Sequence, residues 1–425
     1  MFSTNCDRSY TMKRYTGFEY LCIDAANQFG HDKLLFEQRI QWVMDHFDEL
    51  EELECKEKTA PQYYKAVQAI REAQKGIPSG HLVGLDACCS GMQIMSALGG
   101  CIDGARATNL VNTGFRQDAY SLVTTAASTA MGASVGDIKR SDIKKATMTH
   151  LYGSKAEPKK LFGEETPELE AFYEGIQAVC PIPNEMLSDL IHSHQAYQEV
   201  HEWVLPDNYH ARVKSVSMKE TRIEVDEMDG ATFEYAYKVV CGEERSVKNA
   251  ANIIHSIDAY VLRSMHRRCN YDPVVTEFAY ETISDELMRR VVLYDVDLVE
   301  TKDEKVKIYI DLYNRTNMVD AVILPFVNTH SVQAMETDHL EALKDLCVSM
   351  LAHKPFPLVT VHDEFKCHPN YCNEMRQHYI NIFAEMADSN ILNDIFHQIT
   401  GSYVQYEGAC HNLSELIRDS EYALS

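Results

Sequence analysis

Two short apolar runs constrain the fold most. HLVGLD (81–86), which follows Ile-Pro-Ser-Gly, reads as a buried strand, and FPLVTVHDEF (356–365), after a Pro-bounded turn, as strand, turn and strand. Most of the remaining chain reads as helix. LLFEQRIQWVMDHF, within 34–76, has apolar residues at helical spacing, and Pro61 separates it from YYKAVQAIREAQK. Residues 116–152 are again helical, broken near Gly132 and Gly136. Segment 203–240 alternates around Met228-Asp229-Gly230, the mark of a hairpin. A helix follows at about 247–266. Residues 270–338 are mixed and include a strand-like VKIYIDLY (306–313). Helix 339–353 then leads into the second strand run. ELEELECKEK (49–58) reads as a solvated helix face. The plan is α+β (mixed α/β), without the regular alternation of a doubly wound sheet.

Composition narrows the class. The 425 residues are 45% hydrophobic, enough for a large core and too many for a disordered tail. No stretch approaches about 18 uninterrupted apolar residues. The first residues, MFSTNCDRSYTMKRY, lack the apolar core of an export signal. The 13 cysteines are odd in number and form no CxxC, as expected for reduced thiols. CHPNYC (367–372) has no second Cys/His pair close by, which argues against zinc. Acidic residues outnumber basic ones 64 to 40, for a net charge of -24. At first sight that opposes a nucleic-acid enzyme, although net charge does not say where charges sit.

Each strand run carries an aspartate at its end, Asp86 in LVGLDACCSG and Asp363 in LVTVHDEF. Two rigidly held carboxylates are what a two-metal phosphoryl-transfer site needs, because each Mg²⁺ takes hard oxygen ligands. Singly, each is equally well a turn residue. A second pattern adds weight. In RSDIKKATMTHLYGSK, Arg140, Lys144, Met148 and Tyr152 recur every four residues and fall on one helical stripe. Cations at one end and an aromatic ring at the other match a nucleoside triphosphate, with phosphates at one end and a flat base at the other.

In order, these residues resemble three motifs of the single-subunit RNA polymerases of phages and mitochondria. DACCSGMQIMSAL (86–98) resembles motif A, R-x3-K-x3-MTxxYGS (140–154) motif B, and His362-Asp363 motif C. Further likenesses are GHDKLLF (30–36), Trp203-Val204-x-Pro206-Asp207 before the specificity hairpin, NIIHSID (252–258), and Asn412-Leu413 through Tyr422-Ala423-Leu424-Ser425, which is similar to the family's C-terminal foot. The likeness runs from about residue 20 to the last residue. Within the family it is nearest the large palm-and-fingers subunit of the two-subunit middle-gene enzymes of N-four-like phages.

The resemblance implies a right-hand polymerase fold. Palm covers 1–115 and 255–425, and fingers cover 116–254 with the hairpin at about 203–240. An insertion lies at about 270–338 and the foot at about 410–425. It implies template-directed nucleotidyl transfer from NTPs to an RNA 3′ end with two Mg²⁺ ions, Mn²⁺ being an alternative. Asp86 and Asp363 would hold the metals, with the backbone carbonyl of Ala87 as an extra ligand. Lys144 would contact the triphosphate and act as general acid, while Arg140 and Lys33 would hold phosphates. Tyr152 would close over the base and help select ribonucleotides, with Gly153 allowing close packing. His255 would sit near the nascent pair and His362 at the primer end. Gly91 stands where related DNA polymerases carry a bulky Glu, and so leaves room for a 2′-OH.

The departures set further expectations. Ala87 replaces a usual Gly, and Glu364 follows His-Asp where Ser is common and is expected to point away from the metals. The chain begins within the palm, without the family's N-terminal domain and thumb, and no Gly-Arg dipeptide occurs. A second subunit supplying these parts and a D/T-x-x-G-R motif is expected. Template DNA, single-stranded or pre-melted, nascent RNA, NTPs and a single-stranded-DNA-binding recruitment factor are the other expected partners, with no membrane, in the cytoplasm of an infected bacterium. The rival readings are an HD-type phosphohydrolase, a template-dependent DNA polymerase or primase, and a non-catalytic scaffold subunit. The negative charge then implies that basic residues gather in a cleft, with Lys33, Arg140, Lys144 and Lys145 as candidates.

Overall fold

The computed structural model describes residues 12–132, 138–240, 247–293 and 297–425, so the break expected near Gly136 lies outside the described residues. Helix α1 (Gly17–Ala26) opens on a capping box of Thr16 and Glu19, which satisfies its first N–H groups. It is followed by α2 (Phe36–Asp45) and α3 (Ala60–Gln74), the latter with Pro61 in its first turn. Strand β1 (Val83–Asp86) alternates buried and open residues. Cys89, in the left-handed region at φ 66°, then turns the chain sharply into α4 (Ser90–Gly99). Next come α5 (Ile102–Ala107), α6 (Ala119–Met131) capped by Asp118, α7 (Arg140–His150), α8 (Ala156–Phe162), α9 (Pro167–Val179) and α10 (Pro181–His192). Strands β2 (Val200–Val204) and β3 (His210–Lys214) pair antiparallel. The expected hairpin follows as β4 (Val216–Val225) and β5 (Ala231–Val240), whose turn places Asp229 and Gly230 at positive φ.

The second half is α11 (Val247–Cys269), α12 (Pro273–Leu293), α13 (Glu304–Thr316), α14 (Thr337–Leu351), β6 (Val359–Val361), β7 (Glu364–Cys367), α15 (Cys372–Ala387), α16 (Ile391–Thr400) and α17 (Leu413–Arg418). The two apolar runs of the sequence meet in one antiparallel sheet of order β1-β7-β6. Its register sets Asp86 opposite Glu364 and Leu85 opposite Phe365. Helices α4, α11 and α15 pack against one another around a continuous apolar core. Gln93 locks this core: its amide donates to the Thr108 and Ala423 carbonyls, and it accepts from Tyr379 Oη at 2.7 Å. A fully buried amide persists because its donors and acceptor are matched.

Two expectations are corrected. VKIYIDLY (306–313) is not a strand but the middle of α13. Asp303 caps that helix by accepting from the Lys305 and Val306 N–H groups, and Asn317 ends it in the left-handed conformation. Val306, Leu312, Tyr313 and Thr316 then form one buried face. ELEELECKEK (49–58) is not a helix face either. It is a 3-10 turn (Phe47–Glu49) followed by irregular chain, and the Leu50 and Leu53 carbonyls accept from the hydroxyls of Tyr63 and Tyr64 instead of from helical N–H groups.

The 270–338 segment builds a second apolar core that α14 completes, from Tyr271 to Met350. His339 is buried in it, stacked on Tyr313 at 4.0 Å with Nδ1 unpartnered, and desolvation pushes its pKa down to about 4. The unfolded chain binds that proton at an ordinary histidine pKa. The stabilisation is therefore complete above about pH 6.5 and is lost as pH falls toward about 4. His339→Phe keeps the stack and removes the titration. Thermal unfolding followed from about pH 7 to about pH 4.5 should show wild type losing melting temperature faster than the variant.

Candidate functional site

The sheet register brings the two motif aspartates together. Asp86 ends β1, and Asp363 follows His362 in the two-residue turn between β6 and β7. The Ala87 N–H donates to the Asp363 carbonyl (3.1 Å), and the Ser425 N–H donates to the Asp86 carbonyl (3.0 Å). His362 holds φ 57°, in the left-handed region that the first residue of a two-residue hairpin turn occupies. Glu364 Oε1 pairs with Lys366 at 2.9 Å and lies across the face of Gly84, where a Cβ would collide with it. It is thus tied to its own strand while still lining the cleft.

The cleft encloses about 290 Å³ and is lined by Asp86, Ala87, Lys33, Lys144 and Asp363, among others. Although Asp86 is open to solvent, the walls desolvate it, and the charges of Asp363 and Glu364 add to that; its pKa is pushed up to about 6, with Lys144 opposing. Asp258 on α11 is raised to about 6 as well, by desolvation and then by Asp363, with His362 opposing. Burial raises both groups first, and the charge of Asp363 adds to each, so the carboxylates here gather around Asp363.

Helix α7 supplies the cations. Lys144 lies over the Tyr120 ring at 5.4 Å. Arg140 lies 5.7 Å from the same ring and pairs with Asp118 at 2.5 Å. Asp118 is desolvated, which alone would raise it, but the Arg140 hydrogen bond and charge bring it below its ordinary value. Lys33 lines the cleft and pairs with the neighbouring Asp32 at 2.9 Å. Lys145, exposed on α7, and Arg140 both stand outside the residues lining the cleft, so of the four basic residues expected there Lys33 and Lys144 line it, while Arg140 reaches its rim through Asp118.

The base-facing residues form a second group. Tyr152 lies in the turn just after α7 and stacks on His255 of α11 at 4.5 Å and 10°. Its ring lies over Gly91: a Cβ there would stand 3.1 Å from the Tyr152 hydroxyl. The small residue expected to leave space therefore makes room first for the Tyr152 hydroxyl. Desolvation and then Asp258 push that phenol up to about 12, so it stays protonated and can donate. Gly153 holds φ 88°, and a Cβ there would crowd Val247 at 3.3 Å.

The sequence reading missed Asp118, Tyr120, Asp258 and Arg116. The first signal available was QDAY, an acidic cap before a helix with an aromatic in its first turn.

The donor set suits a hard dication. Asp86 and Asp363 offer carboxylate oxygens, and their repulsion is what a cation relieves. The Ala87 carbonyl accepts from Cys89 N–H at 3.0 Å and keeps a second lone pair. Among the described residues no three His, Cys, Asp or Glu side chains form a closed metal cage. Mg²⁺ commonly binds through one or two carboxylates and completes its shell with water and substrate phosphates.

Residues 13–160 match the family model of DNA-dependent RNA polymerase, a span that holds β1, α4 and α7. No curated protein matches the chain. Among the described residues no helix is long and apolar enough to cross a membrane.

Proposed function

We propose that this chain is the palm-and-fingers catalytic subunit of a phage DNA-dependent RNA polymerase, active in the cytoplasm of an infected bacterium. The carrying observation is that two strand-end aspartates, Asp86 and Asp363, and the α7 lysine Lys144 open into one cleft. In this reading Asp86 and Asp363, with the Ala87 carbonyl, hold two Mg²⁺ ions. Those ions would neutralise charge on the reacting phosphate and activate the 3′ hydroxyl. Lys144 contacts the triphosphate and protonates the departing pyrophosphate. Arg140 and Lys33 hold phosphate oxygens, Arg140 kept in place by Asp118. Tyr152 and His255 form an aromatic pair against which the nascent base pair rests. The Tyr152 hydroxyl above Gly91 supplies a polar contact for a ribose 2′-OH. His362, exposed at the turn between β6 and β7, faces the primer end. Template DNA enters single-stranded or pre-melted.

The test is extension of a primed single-stranded template with Mg²⁺. Ribonucleotides should be added to the RNA 3′ end, and deoxynucleotides far less. Nucleotide hydrolysis without extension would overturn the reading in favour of a phosphohydrolase. The two-subunit form of the proposal rests on the sequence resemblance and expects short, poorly processive products from this chain alone. Long transcripts at full rate from the purified chain would sink that part.

A further inference from the structure

The cations around the cleft differ in what already neutralises them. Arg140 is committed to Asp118 and Lys33 to Asp32. Lys144 rests on an aromatic ring. Arg116, which also lines the cleft, donates from Nε to Ser425 Oγ at 3.1 Å and from Nη2 to the Cys88 sulfur at 3.8 Å. A hydroxyl and a thiol satisfy geometry but not charge. Among the described residues no carboxylate lies within ion-pair distance of Arg116.

A second guanidinium stands close to it. Arg39 is fully buried and spends its donors on the Leu34 and Asp32 carbonyls and Asn27 Oδ1, so it braces the turn that carries Lys33. Desolvation first, and the nearby charge of Arg116 second, lower the Arg39 pKa. The charge of Asp32 works against that lowering, but among the described residues neither guanidinium has a carboxylate at ion-pair distance, so an anion at Arg116 would relieve the repulsion between them. The loop that ends in the Asp118 cap of α6 fixes Arg116, while Cys88 and Ser425 tie it to the end of β1. Its remaining N–H groups form a planar fork suited to two phosphate oxygens.

We propose that Arg116 grips the triphosphate of the incoming nucleotide, as the counterpart of Lys144 in the same cleft. The inference rests on the polymerase reading and adds a substrate-binding residue to it. A triphosphate brings about four negative charges, and two of the cations assigned to it are already partly neutralised by their own carboxylates. Among the described residues Arg116 and Lys144 form no ion pair with a carboxylate. A phosphate of the template or primer backbone offers the same chemistry, so the experiment has an arm for each source.

Arg116→Gln retains a donor for Ser425 and removes the charge; Arg116→Lys restores the charge without the fork. Primer extension, with any second subunit the enzyme requires, gives KM and kcat for the NTP. Fluorescence anisotropy gives Kd for the primed template. Arg116→Gln should raise the NTP KM about tenfold or more with kcat within a few-fold. Arg116→Lys should recover most of that loss, and primed-template Kd should not change. An unchanged NTP KM in active Arg116→Gln overturns the proposal. So does a weakened primed-template Kd with normal NTP KM, which would give Arg116 to the nucleic-acid backbone. A fall in both kcat and melting temperature that Arg116→Lys does not rescue would make Arg116 a structural tie, again overturning it. Wild-type enzyme that fails to incorporate NTPs would overturn the polymerase reading itself, and this inference with it.

Discussion

Asp86→Asn and Asp363→Asn should each lower NTP incorporation by about three orders of magnitude or more, while neither lowers the melting temperature. The activity loss follows from charge. An amide offers one neutral oxygen where a carboxylate offers two charged ones, so a hard dication loses its anchor. The stability expectation follows from the same electrostatics with opposite sign. Asp86 is raised to about 6 by desolvation and by the charges of Asp363 and Glu364. A carboxylate raised in the folded state has its destabilising effect above its folded pKa, and that effect vanishes below the unfolded value of about 4. Near neutral pH the wild-type protein therefore bears the full repulsion, and Asp86→Asn removes it. The melting temperature of Asp86→Asn should equal or exceed that of wild type at pH 7, and the gap should close as pH falls from about 6 toward about 4. Extension assays beside calorimetry check both halves. Retained incorporation in either variant would remove the two-metal reading. A large drop in melting temperature would mean that the aspartates serve the fold and not the chemistry.

Such a pairing of lost activity with preserved stability is expected where function keeps like charges together. It also explains what could be read in the sequence. Asp86 and Asp363 were visible because each ends or follows a short apolar run, and a strand-end carboxylate is a local pattern. The stripe Arg140, Lys144, Met148 and Tyr152 was visible because helical spacing is local as well, although Tyr152 proves to lie in the turn beyond α7. What the residues do to one another was not visible. Arg140 meets Asp118 across two helices, and Tyr152 meets both Gly91 and His255, one from α4 and one from α11. None of these pairings has a fixed sequence offset. The strand expected at 306–313 failed for a related reason. Val306, Ile308, Ile310 and Leu312 alternate perfectly, but the same stretch also places Val306, Tyr313 and Thr316 on one helical face. The Asp303 cap and the second core decided between the two periods.

Lys144→Arg separates two roles that a simple deletion would merge. The notion that Lys144 protonates the departing pyrophosphate requires a group that can release a proton in the transition state. Arginine keeps the positive charge and can keep the stack on Tyr120, but its guanidinium does not give up a proton in a protein. Lys144→Arg is therefore expected to lower kcat about a hundredfold while the NTP KM stays within a few-fold. Lys144→Ala should show the same fall in kcat together with a raised KM, because charge and proton are lost at once. The contrast with Arg116 is direct. Arg116→Lys should recover most of the NTP affinity, since charge is the larger part of what that position supplies and the fork the smaller, whereas Lys144→Arg should not recover the rate, since charge is not enough. Pre-steady-state extension of a primed template gives the rate of the chemical step free of product release. If Lys144→Arg retains that rate, Lys144 acts only as a counter-charge in the cleft, and the proton must reach the pyrophosphate from elsewhere, with water as the remaining donor.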